Sequence, residues 1–145
     1  PPEVTMPRPL SCSLALAFAC LAAACGEKSQ SPSQRADAPM TIEERGRMAF
    51  AACAVCHSVR DPEAPGYATM VGPSLYRVVG ARAGHVATYD YSQAMRESGL
   101  VWDEATLDAF LENPQQIVPR TRMAYVGEKN ADRRAALIAY LKTLQ

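Results

Sequence analysis

An excess of charge of either sign is the first thing this sequence lacks: Lys plus Arg and Asp plus Glu number fifteen each in 145 residues. Nucleic-acid-binding domains carry a clear basic surplus, so nothing in the balance points to that class. Aromatic residues are scarce, at 7%. The longest apolar run, Leu10 to Ala24, is rich in alanine and falls short of a comfortable membrane span of about 20 apolar residues. After Met40 there is no period-two alternation long enough for a strand and no internal repeat, which sets aside sheet and solenoid architectures.

Cysteine also becomes scarce once the chain is divided. Met6, Arg8, the apolar run and the small residues of "LAAAC" ending at Cys25 have the layout of an export signal. The same ending resembles a bacterial lipoprotein box, with Ala22 where Leu is preferred. Residues 1–25 are therefore expected to be an export segment, with a lipidated Cys25 holding the protein to the periplasmic side of a bacterial membrane. Simple cleavage would leave a soluble periplasmic protein instead. Residues 26–39, rich in Ser, Gln, Pro and charge, read as a flexible linker, and residues 40–145 as the folded domain. Cys12 and Cys20 leave with the signal, so the domain keeps only Cys53 and Cys56 and has no disulfide framework.

What is present in the domain is helical. "TIEE" predicts a capping box in which Thr41 and Glu44 satisfy each other's backbone N–H, opening a helix that runs into Cys53 with Gly46 and Phe50 on one face. A mid-helix glycine costs about 1 kcal/mol against alanine, which implies close approach of another backbone at Gly46. Asp103 caps a second clear helix with Leu107, Phe110 and Leu111 inward, stopped at Asn113 by Pro114. Asn130 caps the last, with Asp132 in its first turn and a stripe of Leu137, Tyr140, Leu141 and Leu144. Two shorter helices are expected, Ser74–Val79 closed by Gly80 and Ser92–Ser98 closed by Gly99.

The chemistry concentrates in "CAVCH", Cys53 to His57. A structural zinc site wants four ligands, and the domain offers only Cys53, Cys56, His57 and the distant His85. A thioredoxin-like pair wants a preceding strand, and this run follows a helix. Covalent haem attachment has a reason for each position. Two thiols spaced by two residues can add to two vinyl groups at one edge of the macrocycle, and the next residue, His57, can ligate the iron from below. His85, in "RAGHVA", reads as a loop imidazole rather than a ligand.

Further motifs lie in a fixed order around it: Gly46 and Phe50 before, then Gly72-Pro73, Tyr91, Trp102, "PRTRM" from Pro119 to Met123, and "LIAYLKTL" from Leu137 to Leu144. With these, residues 40–145 resemble the soluble single-haem cytochrome c family of the mitochondrial and bacterial type. The resemblance implies an all-α fold of about five short helices wrapped around one covalently attached haem c, with iron held by His57 and by the Met123 thioether. It implies that the Pro73 carbonyl orients His57, and that Tyr91, Trp102 and Thr121 hold a haem propionate. Met48, Met70 and Met95 are expected to be packing or surface residues. Departures from the family pattern are Met95 in place of Asn, Phe110 in place of Tyr, Ala81 in place of Arg with Arg82 one position later, and a longer loop from Arg60 to Val71.

A haem with both axial positions filled has no site left for a substrate, so the implied role is one-electron carriage and not catalysis. The expected partners are redox proteins: a quinol-oxidising complex, and an oxidase or photosynthetic reaction centre. An alternative is a cytochrome subunit dedicated to one periplasmic dehydrogenase. Peroxidase activity or ligand sensing would require loss of the Met123 bond. Arg120, Arg122 and Lys129 around the methionine suggest a basic rim for an acidic partner.

Overall fold

A computed structural model describes residues 39–145. The expected export segment and all but the last residue of the linker lie outside the described residues. The domain is helical: α1 Ile42–Ala49, running into a 3-10 turn at Phe50–Ala52; α2 Gln93–Glu97; α3 Glu104–Glu112; α4 Pro114–Ile117; and α5 Ala131–Lys142. Among the described residues the only β pairing is an isolated antiparallel bridge between Arg82 and Val101.

The helix starts follow from local chemistry. Thr41 N donates to Glu44 Oε2 at 2.8 Å and Glu44 N to Thr41 Oγ1 at 3.2 Å, the reciprocal box the sequence predicts for α1. Ser92, Asp103 and Asn130 accept from the N–H of Met95, Thr106 and Arg133 and open α2, α3 and α5 in the same way.

The main tertiary contact is the crossing of α1 on α5. Its closeness depends on Gly46, which is buried: a Cβ there would lie 1.9 Å from Ala136 O and 2.8 Å from Tyr140 Cβ. Any side chain at this position would force the helices apart. One turn on, Phe50 and Tyr140 meet with ring centroids 5.2 Å apart. The core continues through Leu137, Ile138 and Leu141 of α5 to Leu107, Phe110 and Leu111 of α3, and on to Trp102, Met95, Val78 and Val118. Arg134, buried on α5, locks this arrangement with a two-pronged ion pair to Asp108 of α3 at 2.8 and 3.1 Å.

Two expectations are corrected. Ser74–Val79 forms turns and not a helix. The Ser74 hydroxyl donates to Arg60 O at 2.6 Å and accepts from Tyr76 N at 3.1 Å, and Arg77 has a φ of 53°, which no α-helix accommodates. Pro114 ends α3 as expected, but it also begins α4, because a proline at the first helical position gives up only an N–H with no partner inside the helix. Asn113 serves both elements, donating its N–H to Ala109 O at 3.1 Å and accepting from Gln116 N on its side chain at 3.3 Å.

Candidate haem site

The thiols and imidazole of "CAVCH" are presented by a single winding of backbone. Cys53 N and Ala54 N donate to Phe50 O at 2.8 and 2.9 Å, and Cys56 N and His57 N donate to Cys53 O at 3.0 and 2.9 Å. The helical path of α1 thus carries on just far enough to set Cys53, Cys56 and His57 on successive steps. Both cysteines are free and half-buried. Burial, and then the neighbouring Cys56, push the Cys53 thiol above its ordinary value, so it stays protonated near neutral pH.

His57 is fixed from the opposite strand of chain. Gly72 N donates to Cys56 O at 2.8 Å, and Gly72 lies so close to the imidazole that a Cβ would sit 2.5 Å from His57 Cε1. The ring then donates from Nδ1 to Pro73 O at 2.8 Å. A carbonyl can only accept, so the proton is on Nδ1 and Nε2 keeps its lone pair for a metal. Burial pulls the imidazole below its ordinary value and the Pro73 bond partly offsets this, leaving the neutral form near pH 7.

Met123 comes from a segment held by side chain to backbone bonds. The segment leaves α4 at buried Val118, passes Arg120 with a φ of 68°, and is tied by Thr121 N to Val118 O at 3.0 Å and by Gln115 Nε2 to Thr121 O at 3.1 Å. A left-handed backbone at a non-glycine residue costs about 1 kcal/mol, a strain that the surrounding bonds must hold. Buried Thr121 accepts from Met123 N at 3.3 Å, and Met123 is half-buried against the core. The other methionines behave as expected: Met48 and Met70 are exposed, and Met95 is core.

Trp102 is buried with its ring 4.9 Å from Phe110, and its backbone is positioned by Trp102 N to Ala81 O at 2.8 Å and Gly80 N to Trp102 O at 2.9 Å. Tyr91 is half-buried, packed edge-on against Tyr89 at 4.8 Å, and burial pushes its phenol up to about 12. His85 and Arg82 are exposed.

Three further tyrosines carry no signal in the sequence. Tyr89 donates to Val71 O at 2.6 Å and pins the loop that ends at Gly72. Tyr125 lies close enough to Cys53 that the thiol contributes, after burial, to raising its phenol. Tyr67 has a buried hydroxyl without a partner. All three sit in aperiodic segments, where spacing carries no signal.

These residues fit a haem. The donor set offers one neutral imidazole with a free Nε2, two free thiols a turn apart, a half-buried thioether and one buried hydroxyl that the protein leaves unpaired. Among the described residues no group of three His, Cys, Asp or Glu side chains gathers as a zinc site would need. Helices wrapped on an attachment turn of this kind define a c-type haem protein.

Comparison with known proteins agrees. The family model for cytochrome c matches residues 43–145. The chain is 48% identical over 99 residues to cytochrome c2 of Rhodomicrobium vannielii, covering 68% of this chain and 76% of that one. It is 44% identical over 93 residues to cytochrome c2 of Rhodopila globiformis, covering 64% and 83%. Its fold matches cytochrome cH from Methylobacterium extorquens with a TM-score of 0.63 at 39% identity, over 70% of this chain and 97% of that one. The chain belongs to the cytochrome c family. It is an electron carrier with one covalently attached haem c, and Cys53 and Cys56 fit the attachment.

Proposed function

We propose that His57 and Met123 would hold the haem iron of this carrier, which passes single electrons between membrane complexes on the periplasmic side of a bacterial membrane. The observation that carries the ligand assignment is the 2.8 Å bond from His57 Nδ1 to Pro73 O, which leaves only Nε2 to face a metal. Met123 is supported by its half-buried place in the core and by the Thr121 bond that sets its backbone. The bound haem supplies a single iron that changes valence by one electron.

The residues of the chain do the rest. His57 is held in one tautomer and one orientation by Pro73 O, which would present Nε2 to the iron. Met123, a neutral soft donor, favours the ferrous form, and the apolar surround of Leu107, Phe110 and Leu111 disfavours additional positive charge. Tyr91, Trp102 and Thr121 are proposed to hold a propionate, with the high affinity of the Tyr91 phenol for its proton keeping it a donor. Held by both His57 and Met123, the iron would carry electrons and not catalyse.

Donor and acceptor are proposed to be a quinol-oxidising complex and an oxidase or reaction centre. Steering by a basic rim is reduced at Arg122, which pairs with Asp90 at 3.3 Å, while Lys129 Nζ donates to the uncharged backbone Glu112 O at 2.8 Å and keeps its own charge. Exposed Val55, Val71 and Val126 belong to the segments around the attachment turn and the methionine. Electron transfer to an isolated oxidase is therefore expected to slow only modestly as salt rises; a steep fall would restore the basic rim. Export and a lipid tether at Cys25 are supported by the leader sequence, and palmitate labelling of a Cys25→Ser chain against the parent tests them.

The ligand test is the oxidised spectrum of Met123→Ala. Loss of the weak sulfur-to-iron charge-transfer band, with a lower reduction potential, is the expected result. Survival of the band would move the ligand to another methionine.

A further inference from the structure

Tyr67 lies in the loop between His57 and Gly72, and its hydroxyl is the one buried side-chain polar atom without a hydrogen-bond partner among the described residues. Folded proteins leave very few such groups unpaired, since burial strips the hydroxyl of water without replacement. The loop around it is well tied. Tyr67 N donates to Ala64 O at 3.0 Å, Ser74 Oγ to Arg60 O at 2.6 Å, and Tyr89 Oη to Val71 O at 2.6 Å.

The Tyr67 hydroxyl is buried beside the site. Tyr89, which pins the end of the loop, packs edge-on against Tyr91 at 4.8 Å, and Tyr67 and Tyr89 are both near enough to add to the raising of the Tyr91 phenol. The Tyr89 hydroxyl gives its proton to Val71 O at 2.6 Å, and no hydrogen bond joins it to the Tyr67 hydroxyl. Ala81 and buried Met95, two positions where the sequence departs from the family pattern, bring no polar group. A donor is therefore left over in a pocket that loses donors elsewhere, and the haem brings carboxylates, the acceptors a phenol pairs with best.

We propose that Tyr67 donates its hydroxyl proton to a propionate carboxylate of the haem, so that the long loop contributes a positioning residue for the cofactor. The inference rests on the haem site described above. Pairing with a phenol offsets part of the carboxylate charge, and a less compensated negative charge near the iron favours the ferric state.

The test uses the holoprotein, with Tyr67→Phe and, as control, Tyr89→Phe. At a pH where the propionates are ionised, Tyr67→Phe is expected to lower the reduction potential and to shift the propionate carboxylate band in the oxidised-minus-reduced infrared spectrum. Tyr89→Phe loosens the same loop, and is expected to lower the melting temperature without moving that band. An unshifted band in Tyr67→Phe, or equal shifts in both variants, overturns the proposal. If Tyr67→Phe does not accumulate, proton resonances of the unmodified ferrous holoprotein decide it: a slowly exchanging Tyr67 hydroxyl with cross-relaxation to the propionate methylenes supports the assignment, and its absence refutes it. A chain that carries no haem at all would instead sink the reading of the whole site, so the two failures are distinguishable.

Discussion

The two halves of this domain are held together by different physics. Where α1 crosses α5, helix meets helix across Gly46, with Phe50 on Tyr140 and the Arg134–Asp108 pair joining α3. From His57 to Trp102 the chain has only α2, five residues long, and its shape depends on single bonds such as His57 to Pro73, Ser74 to Arg60 and Tyr89 to Val71. A short chain buries little apolar surface, and a half with so few packed elements cannot order itself by packing alone. The comparison teaches that the helix crossing is a frame held by helix packed on helix, whereas the loop half joins the shared core through residues such as Val78, Met95 and Trp102 and takes the rest of its shape from single bonds.

The largest effect expected from this contrast follows removal of the attachment. A chain with Cys53→Ala and Cys56→Ala is expected to lose amide protection throughout 57–102 in hydrogen exchange, with residual protection confined to α1 and α5. Equal loss in both halves would dissolve the distinction. Next comes Gly46→Val, which places a side chain against Ala136 O and is expected to cost about 3 kcal/mol or more in denaturant unfolding of the holoprotein. A cost below about 1 kcal/mol would show that the helices can part without penalty.

Smaller still is the loss of a helix start. Thr41→Ala removes the oxygen that accepts from Glu44 N and is expected to cost about 1 kcal/mol, read as a lower midpoint in the same unfolding experiment. The smallest effect is a pH dependence in the frame. The N–H of Thr106 holds the Asp103 carboxyl below the usual carboxylate range. Its contribution is thus present above the ordinary carboxylate value of about 3.9 and is lost as pH falls through the lower folded value. Acid unfolding curves of Asp103→Asn and the parent are expected to differ most near neutral pH and to converge in strong acid; parallel curves would remove the cap from the account.

The same contrast explains what could be read in advance. The frame was legible because helix periodicity, caps and a mid-helix glycine are local signals: Thr41, Glu44, Gly46, Asp103 and Asn130 all act as their neighbours in sequence imply. The attachment turn was legible because its chemistry needs contiguous residues. The loop half was not, since its bonds join residues distant in sequence and have no period. Ser74 turned the expected Ser74–Val79 helix into turns by bonding Arg60, fourteen residues away. Tyr89 acts across the same loop by bonding Val71, Tyr67 leaves its buried hydroxyl unpaired there, and Asn113–Pro114 hid α4 because a proline that stops one helix can start the next.

The most direct measurement is made on the chain produced in cells able to mature c-type haem proteins, purified and then extracted with acid acetone. The account predicts a coloured polypeptide that keeps its haem through the extraction and shows, in alkaline pyridine, the spectrum of a haem joined by two thioethers. A colourless chain, or one that releases its pigment into the solvent, would contradict it.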